Sequence, residues 1–415
     1  MSALARITIH YIGQGSCNII ETFDGGGSIR TLSVCDMGSE GAEWAGCHKW
    51  RDLAPTKRFA YNHLLNSLQT RGGKLDMLSL SHLDSDHVNI MEEILRGEME
   101  KGEDTRILKS IDKVYFGGTP SSAYSLKGLS ECSYKTLGKK SNRNEKVQKI
   151  AELLEAMKIP EDQVFFLSGY SNYGVGKTPD HHCLMKDTGI PGGFKLYLRM
   201  WENRMFQSTT GVYTDGGDIN SNSSIVVCEI YAGSEILAAV IFMGDATYLT
   251  MSEIVKKYNN YDNPQEVFPF LTAPQRILVA PHHGSLRTAC RGLRIKVKNS
   301  TIAGRLTDLM QFCNIVKPTT VIASANCPPD YPYRHPSDNV LDRLSGNLND
   351  TGQHLNNVFC CNEQTYEWTY VKQQIAKEKF TTYYSLEDGQ GGYRKVVIEI
   401  DAQTRKVTVC PLEEA

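Results

Sequence analysis

Metal-binding side chains are concentrated in one short segment, His82-Leu83-Asp84-Ser85-Asp86-His87. The apolar run LDMLSL precedes this segment and an amphipathic pattern follows it, which predicts a strand, a turn and a helix. Imidazole nitrogens and carboxylate oxygens bind divalent cations, and a turn at the carboxyl end of a strand can aim alternate side chains at one point. We therefore predict a metal site here. The alternative is a polar turn in which an aspartate caps the helix.

Two further apolar runs end in the same way. The run EILAAVIFMG ends at Asp245, and the run RILVA leads into Pro281-His282-His283-Gly284-Ser285. One aspartate after a strand is usually a turn residue or a helix cap. Three such endings in one chain favour a single site that they share.

The elements that must position these residues are short β-rich runs that alternate with amphipathic helices, which predicts a mixed α/β protein. The patterns NEKVQKIAELLEAMKI and AGRLTDLMQFCNIV predict helices, and the ending KVVIEIDAQTRKVTVCPL predicts a β-hairpin. We predict a single catalytic domain over residues 1–415, with insertions at about residues 97–140 and 171–193, where the alternation is interrupted. The predicted strands are RITIHYIG, IRTLSVCDMG, LDMLSLSH, KVYFGG, QVFFLSG, KLYLRMW, SIVVCEIYAGSEILAAVIFMGD, RILVAPHHG and TTVIASAN.

Composition excludes several classes of protein. With 40% apolar and 22% charged residues, the chain is neither disordered nor fibrous, and its net charge of -2 gives no overall positive field for nucleic acid. The apolar run Ile236–Gly244 is far shorter than the roughly 20 residues of a membrane-spanning helix, so we expect no membrane association. The twelve cysteines form no C-x-x-C motif, and the start of the chain does not look like a secretory signal. These features predict reduced thiols and a cytoplasmic protein.

The three motifs together resemble the metallo-β-lactamase superfamily, and most closely the branch that contains the nuclease-like domain of the competence protein ComEC. That branch has H-x-D-x-D-H where most of the superfamily has H-x-H-x-D-H, together with a GD and a PHHGS motif. Four further segments extend the resemblance over nearly the whole chain: Gly13-Gln14-Gly15-Ser16, Cys35-Asp36-Met37-Gly38, Asn220-Ser221-Asn222-Ser223-Ser224 and His335-Pro336.

The resemblance implies a four-layer αββα sandwich of two similar halves, with two divalent metal ions at one edge. Under this resemblance His82 and Asp84 hold one ion, while Asp245 bridges the two. The other ion is held by Asp86, His87 and His282. Strand geometry favours His282 over His283 as this ligand, and His283 stays the alternative. Where the wider superfamily has another histidine, this chain has Asn220 and Asn222, and Asp218 or water are the other candidate donors there.

The donor set and the resemblance point to hydrolysis. Oxygen and imidazole donors without thiolate suit either Zn²⁺ or Mn²⁺. Two such ions would lower the pKa of a shared water molecule toward about 7 and bind the anionic oxygens of a phosphodiester. The predicted catalytic residues are Asp86 and His335, of which His335 is either a phosphate ligand and proton donor or a helix cap.

We predict a metal-dependent phosphodiesterase, specifically a nuclease acting on DNA or RNA, with a bacterial defence or mobile-element system as a setting suggested by analogy alone. The predicted substrate contacts are Ser285, Arg287 and Arg291; the arginines belong to a basic stretch that either follows a phosphate backbone or is a solvated loop. The alternatives are hydrolysis of a small molecule (a cyclic nucleotide, an ester or an amide) and a binding or regulatory module with a degraded site. The expected partner is nucleic acid or another phosphodiester substrate. A protein partner and the oligomeric state stay open.

Overall fold

The fold is a sandwich of two large β-sheets. A computed structural model of the chain describes residues 3–10, 12, 15–39, 54–117, 128–131, 145–168, 172–177, 183–202, 223–285, 309–323, 357–362, 367–373, 379–382, 395–401, 404 and 406–412. Within these residues it has two nine-stranded sheets, a two-stranded sheet and six α-helices.

The first sheet has the strand order β20-β19-β1-β2-β3-β5-β7-β9-β8. Strands β1, β2 and β3 form an antiparallel meander, and β3, β5, β7 and β9 then run parallel to one another. The strands are β1 (Ala3–His10), β2 (Gly15–Phe23), β3 (Ile29–Ser39), β5 (Met77–Leu80), β7 (Val114–Phe116), β8 (Gly128–Glu131), β9 (Val164–Ser168), β19 (Lys395–Asp401) and β20 (Val407–Leu412).

The second sheet has the order β10-β11-β12-β13-β14-β15-β16-β17-β18 and repeats this plan. Strands β11, β12 and β13 are antiparallel, and β13 to β16 are parallel. The strands are β10 (Met185–Ile190), β11 (Phe194–Glu202), β12 (Ile225–Ala232), β13 (Glu235–Phe242), β14 (Gln275–Val279), β15 (Thr320–Ala323), β16 (Asn357–Asn362), β17 (Glu367–Gln373) and β18 (Lys379–Thr382); β4 (Lys74–Leu75) and β6 (Ser110–Ile111) form the small sheet.

Helices cover the outer face of each sheet. The helices are α1 (Ala54–Thr70), α2 (Ser85–Met99), α3 (Glu145–Ala156), α4 (Tyr248–Asn259), the short α5 (Pro264–Val267) and α6 (residues 309–316). Leu64, Val88 and Ile150 of α1 to α3 pack with the first sheet, and Met251 of α4 and Phe312 of α6 pack with the second. A third apolar cluster joins the inner faces of the two sheets. The layers are therefore α, β, β and α, and the predicted αββα sandwich is confirmed.

The repeated plan brings the carboxyl ends of several strands to one edge of the sandwich. In a parallel pair both strands end on the same side, so β3 and β5 end together in the first sheet, as do β13 and β14 in the second. The backbone N–H of Ser224, before β12, donates to the carbonyl of Ser81, after β5, and so ties the two sheets together at this edge. The predicted ligands follow three of these strand ends.

The two segments predicted as insertions contain regular structure. Residues 97–140 include the end of α2, β6, β7 and β8, and residues 171–193 include β10. Residues 118–127, 132–140, 171 and 178–182 lie outside the described residues. Within the described part of the chain, no helix is both long enough and apolar enough to cross a membrane.

Candidate metal centre

The first group of ligands comes from the turn between β5 and α2. His82 is fully buried just after β5, and Asp86 and His87 lie in the first turn of α2. Asp84 occupies the N-cap position of α2, but its side chain makes no capping hydrogen bond. The alternative of a merely capping aspartate therefore fails for Asp84, whose carboxylate lies 3.7 Å from Nε2 of His82 instead.

Two overlapping groups of side chains have the spacing of metal ligands. In each group the ligand atoms all lie within 4.8 Å of one another. One group consists of Asp86, His87, Asp245 and His283, and the other of His82, Asp84 and Asp86. Asp86 belongs to both groups, so the structure brings together the three strand ends that the sequence predicted to meet.

Asp245 follows β13, belongs to the first of these groups and also lies close to His82 of the second. Its Oδ1 is 2.9 Å from Nε2 of His87 and 3.7 Å from Nε2 of His283, and its Oδ2 is 3.4 Å from Nε2 of His82. Two ligands bound tetrahedrally to one Zn²⁺ at 2.0–2.1 Å stand about 3.3 Å apart. The distances around Asp245 scatter about that value, and its bridging role, which the resemblance implies, stays a prediction.

A divalent cation fits this set of donors. The Nε2 atoms of His82, His87 and His283 are buried, and among the described residues none makes a hydrogen bond of good geometry, although carboxylates lie close by. Buried polar atoms are normally satisfied, so three converging orphan nitrogens indicate a missing partner. The donors are imidazole and carboxylate, which suit Zn²⁺ and Mn²⁺.

The charges at the centre also call for cations. Asp36, Asp84, Asp86 and Asp245 are four carboxylates with side-chain exposures of 5%, 34%, 12% and 2%. Burying carboxylates costs several kcal/mol each unless cations or hydrogen bonds compensate. Hydrogen bonds from Ser81 already compensate Asp36, and the other three carboxylates are suited to divalent cations.

Asp36 supports the centre from behind. Its carboxylate accepts hydrogen bonds from the backbone N–H of Ser81 at 2.6 Å and from the Ser81 hydroxyl at 2.7 Å. Its Oδ2 also lies 2.9 Å from Nδ1 of His87, so His87 can direct Nε2 toward the other ligands. The sequence motif around Asp36 was recognised, but this contact with His87 was not predicted.

Two glycines permit the close packing that the centre needs. A Cβ on Gly38 of β3 would collide with the backbone of His87 and Val88, so α2 begins directly against this strand. Gly244 has a φ of 50°, and a Cβ there would meet the side chains of Ser81 and Ser223 at 2.7 Å or less. Both positions allow backbone to approach where a side chain would hold the ligands apart.

The consecutive histidines after β14 point to different partners. His282 and His283 both have left-handed backbone, with φ of 43° and 54°, so the alternation of a strand does not continue through them. His283 is buried with Nε2 3.4 Å from Asp86, whereas Nδ1 of His282 lies 2.8 Å from Oδ2 of Asp245. The expectation that His282 joins Asp86 and His87 therefore differs from the observed grouping, in which His283 takes that place.

The protein groups already polarise one another strongly. Burial alone would raise the pKa of Asp86, but the imidazoles of His87 and His283 hold it at about 2. Burial would lower the pKa of His87, yet Asp245, Asp36 and Asp86 raise it well above its ordinary value. Asp86 and Asp245, whose pKa values are both lowered, are therefore ionised near neutral pH, and a cation that binds must displace a proton from His87.

The centre opens to solvent on one side. The side chain of Asp84 is 34% exposed and that of His282 is 16% exposed, whereas His82, His87 and Asp245 are almost completely buried. Asp84 and His282 therefore form the solvent-facing part of the described centre.

The remaining predicted site residues divide between buried and undescribed positions. Ser285 is 1% exposed, and its backbone N–H donates to the carbonyl of His282. The others lie outside the described residues: Asn220, Asn222, Asp218, Arg287, Arg291 and His335. Their roles stay predictions.

Comparison with solved structures finds a likeness to a metallo-β-lactamase. No protein-family model and no curated protein matches the chain. The crystal structure of metallo-β-lactamase SMB-1 bound to 2-mercaptoethanesulfonate is similar over 76% of this chain and 97% of that chain, with 12% sequence identity and a TM-score of 0.27. The fold assignment therefore rests on the strand order and the layers of this structure.

The layers and the centre together define the class of protein. It has an αββα sandwich fold, with a buried cluster of histidines and aspartates suited to divalent cations. This combination suggests a metal-dependent hydrolase.

Proposed function

We propose that the chain is a dinuclear metal-dependent phosphodiesterase, and specifically a nuclease acting on DNA or RNA. The observation that carries the proposal is the convergence of three buried, unbonded imidazole Nε2 atoms on the carboxylates of Asp86 and Asp245. Two overlapping ligand groups that share Asp86 support two ions side by side, bound as Zn²⁺ or Mn²⁺.

Divalent cations bound here would activate water and stabilise the negative charge that develops on a substrate. The chain's own residues prepare for this chemistry. Asp36 and Ser81 hold the histidine rings in place from behind. Burial of most ligands keeps bulk water away from the reacting atoms, while the exposed carboxylate of Asp84 marks the entrance.

A phosphodiester suits the centre better than an uncharged ester or amide. Its anionic oxygens can contact both cations at once, as in other two-metal sites. The predicted substrate residues Arg287 and Arg291 follow buried Ser285 closely in the sequence, which supports a cationic rim for an anionic polymer. The presence of two ligand groups among the described residues supports an enzyme over the alternative of a degraded site.

The proposal is tested with a panel of substrates. Protein loaded with Mn²⁺ or with Zn²⁺ is incubated with single-stranded DNA, double-stranded DNA, RNA and a cyclic dinucleotide. The double variant Asp84→Ala/Asp86→Ala should lose cleavage, and Asp104→Ala, which changes an exposed aspartate outside the centre, should keep it.

Each outcome of the panel has a distinct meaning. Cleavage of DNA or RNA that only the double variant abolishes supports the nuclease. Activity on the cyclic dinucleotide alone refutes it and favours the small-molecule hydrolase. Less than one equivalent of metal per chain after loading refutes the enzyme and favours a binding module.

We propose further that the protein works in the cytoplasm. The thiols of Cys17, Cys35, Cys183, Cys228 and Cys313 are free, as expected in a reducing compartment. Nucleic acid is the proposed partner.

A further inference from the structure

Ser81 lies between histidines of the two ligand groups. Its Oγ is 3.1 Å from Nδ1 of His82 and 3.4 Å from Nδ1 of His87. Ser81 is 5% exposed and both rings are fully buried, so water does not compete for these contacts. His82 belongs to the group with Asp84, whereas His87 belongs to the group with Asp245.

The direction of these hydrogen bonds follows from Asp36. An ionised carboxylate only accepts hydrogen bonds, so the Ser81 hydroxyl must donate its single proton to Oδ2 of Asp36, 2.7 Å away. The hydroxyl oxygen then has only lone pairs to offer to the two rings. An imidazole that contacts this oxygen must therefore donate from Nδ1.

A histidine with its proton on Nδ1 has a lone pair on Nε2. His87 reaches this tautomer by a direct contact between Nδ1 and Oδ2 of Asp36 at 2.9 Å. Among the described residues His82 makes no contact with Asp36, and its Nδ1 lies 3.1 Å from Oγ of Ser81 instead. In both rings Nε2, which faces the other ligands, is then the nitrogen that binds a cation, and in His87 the cation displaces the proton from this atom.

We propose that Ser81 is a positioning residue for His82, and that through it one buried carboxylate, Asp36, fixes a histidine in each of the two ligand groups. The inference rests on the proposed function only in requiring that the centre binds cations. The two ligand groups then differ in how they depend on Ser81. When the Ser81 hydroxyl is removed, His87 keeps its direct contact with Asp36, whereas His82 loses its connection to Asp36.

The consequence is selective loss of one ion. In Ser81→Ala, Nδ1–H of His82 is left buried without an acceptor, and loss of such outer partners typically weakens metal binding about 10–100-fold. The ion held by His87, Asp245 and His283 keeps its affinity to within about threefold.

The strand offers a matched control. Ser79 lies two residues earlier on β5, is 1% exposed, and its hydroxyl has no hydrogen-bond partner among the described residues. Ser79→Ala therefore removes the same atom from the same strand without touching a histidine. Circular dichroism and the urea midpoint confirm that both variants fold.

The experiment measures the two dissociation constants of Zn²⁺ by competition with a chromophoric chelator. The inference is supported if Ser81→Ala binds one ion normally and the other about 10–100-fold more weakly, while Ser79→Ala binds both ions as the unmutated chain does. Normal binding of both ions by Ser81→Ala overturns it and leaves the proposed function intact. Equal weakening of both ions also overturns it, because Ser81 would then serve the centre as a whole.

Nitrogen NMR of the zinc-loaded protein gives a second readout that does not depend on affinity or activity. The His82 ring signals are assigned by their loss in His82→Gln. The inference is supported if His82 carries its proton on Nδ1 in the unmutated chain and the signal of this nitrogen changes in Ser81→Ala. A proton on Nε2 of His82 in the unmutated chain overturns it. Absence of any bound Zn²⁺ in the unmutated chain overturns the inference and the proposed function together.

Discussion

Replacing Gly38 with alanine tests whether the ligands of α2 depend on direct contact with β3. A Cβ at this position would lie 2.5 Å from the backbone nitrogen of His87 and nearer still to the backbone of Val88. Unbonded heavy atoms normally stand about 3.5 Å apart or more, so the helix must move away by about 1 Å. The turn that moves contains both Asp86 and His87.

The size of the effect follows from this displacement. Overpacking of this kind lowers the free energy of unfolding by about 1–3 kcal/mol. A shift of about 1 Å in a catalytic group can lower turnover about 100-fold. We expect Gly38→Ala to bind the ion of Asp86, His87 and His283 about 10–100-fold more weakly, as loss of supporting contacts does.

Urea unfolding and competition titration with Zn²⁺ measure the two effects. Gly25→Ala is the matched control, because a Cβ there meets no atom within 4 Å. If Gly38→Ala and Gly25→Ala have the same free energy of unfolding and the same zinc affinity, the ligands of α2 do not depend on close packing against Gly38.

Three further predictions concern other buried groups. In the same titration, Asp36→Asn should weaken the binding of both ions about 10–100-fold, because the carboxylate orients a histidine in each ligand group. Burial and the neighbouring His63 lower the pKa of His10 well below its ordinary value, so the unfolded chain takes up a proton that the folded chain does not. Stability should therefore fall as pH drops below about 6.5, by up to about 1.4 kcal/mol per pH unit, and His10→Gln should remove this share of the fall in urea unfolding. Glu229→Gln should lower the free energy of unfolding by about 3–5 kcal/mol, because the buried guanidinium of Arg199, 2.8 Å away, loses its counter-charge.

Controls separate these effects from general damage. Asp104→Asn changes an exposed carboxylate and should leave zinc affinity unchanged. Glu103→Gln breaks the exposed pair with Lys158 and should leave unfolding unchanged, in contrast to Glu229→Gln. If the stability of His10→Gln depends on pH as that of the unmutated chain does, the unprotonated ring of His10 is not the cause of the loss of stability at low pH. An Asp36→Asn variant with normal affinity would exclude support of the histidines by that carboxylate.

The sequence predicted the strands that are apolar on both faces. The run SIVVCEIYAGSEILAAVIFMGD forms the hairpin of β12 and β13, and its strands are almost completely buried because one face meets the other sheet and the other meets helices. Such strands have a continuous apolar pattern that needs no partner to be recognised. The three strand ends that bear the ligands belong to strands of this kind.

Strand β2 was not predicted, because polar residues interrupt its pattern. Asn18, Glu21 and Thr22 are nevertheless buried. Asn18 donates to the carbonyl of Cys35, Ser67 donates to Glu21, and Thr22 donates to Asp187. These partners come from other parts of the chain, and the local sequence carries no sign of them.

The choice between His282 and His283 also depended on information that the sequence lacks. Strand geometry favoured His282, but the strand ends at Val279 and both histidines have left-handed backbone. Non-glycine residues seldom adopt this conformation, so an alternation rule has no force there. The contact of Asp36 with His87 was similarly hidden, since it joins β3 to a helix about 50 residues later.

Because the ligands are divided between the two sheets, the set of metal donors becomes complete only late in the synthesis of the chain. The ligands His82, Asp84, Asp86 and His87 come from the first half of the chain, whereas Asp245 and His283 come from the second. A nascent polypeptide has an incomplete set of ligands until translation has passed His283. Capture of the ion held by Asp86, His87, Asp245 and His283 thus reports that both halves have been made and have met, and two complementary fragments would regain this ligand group only on pairing.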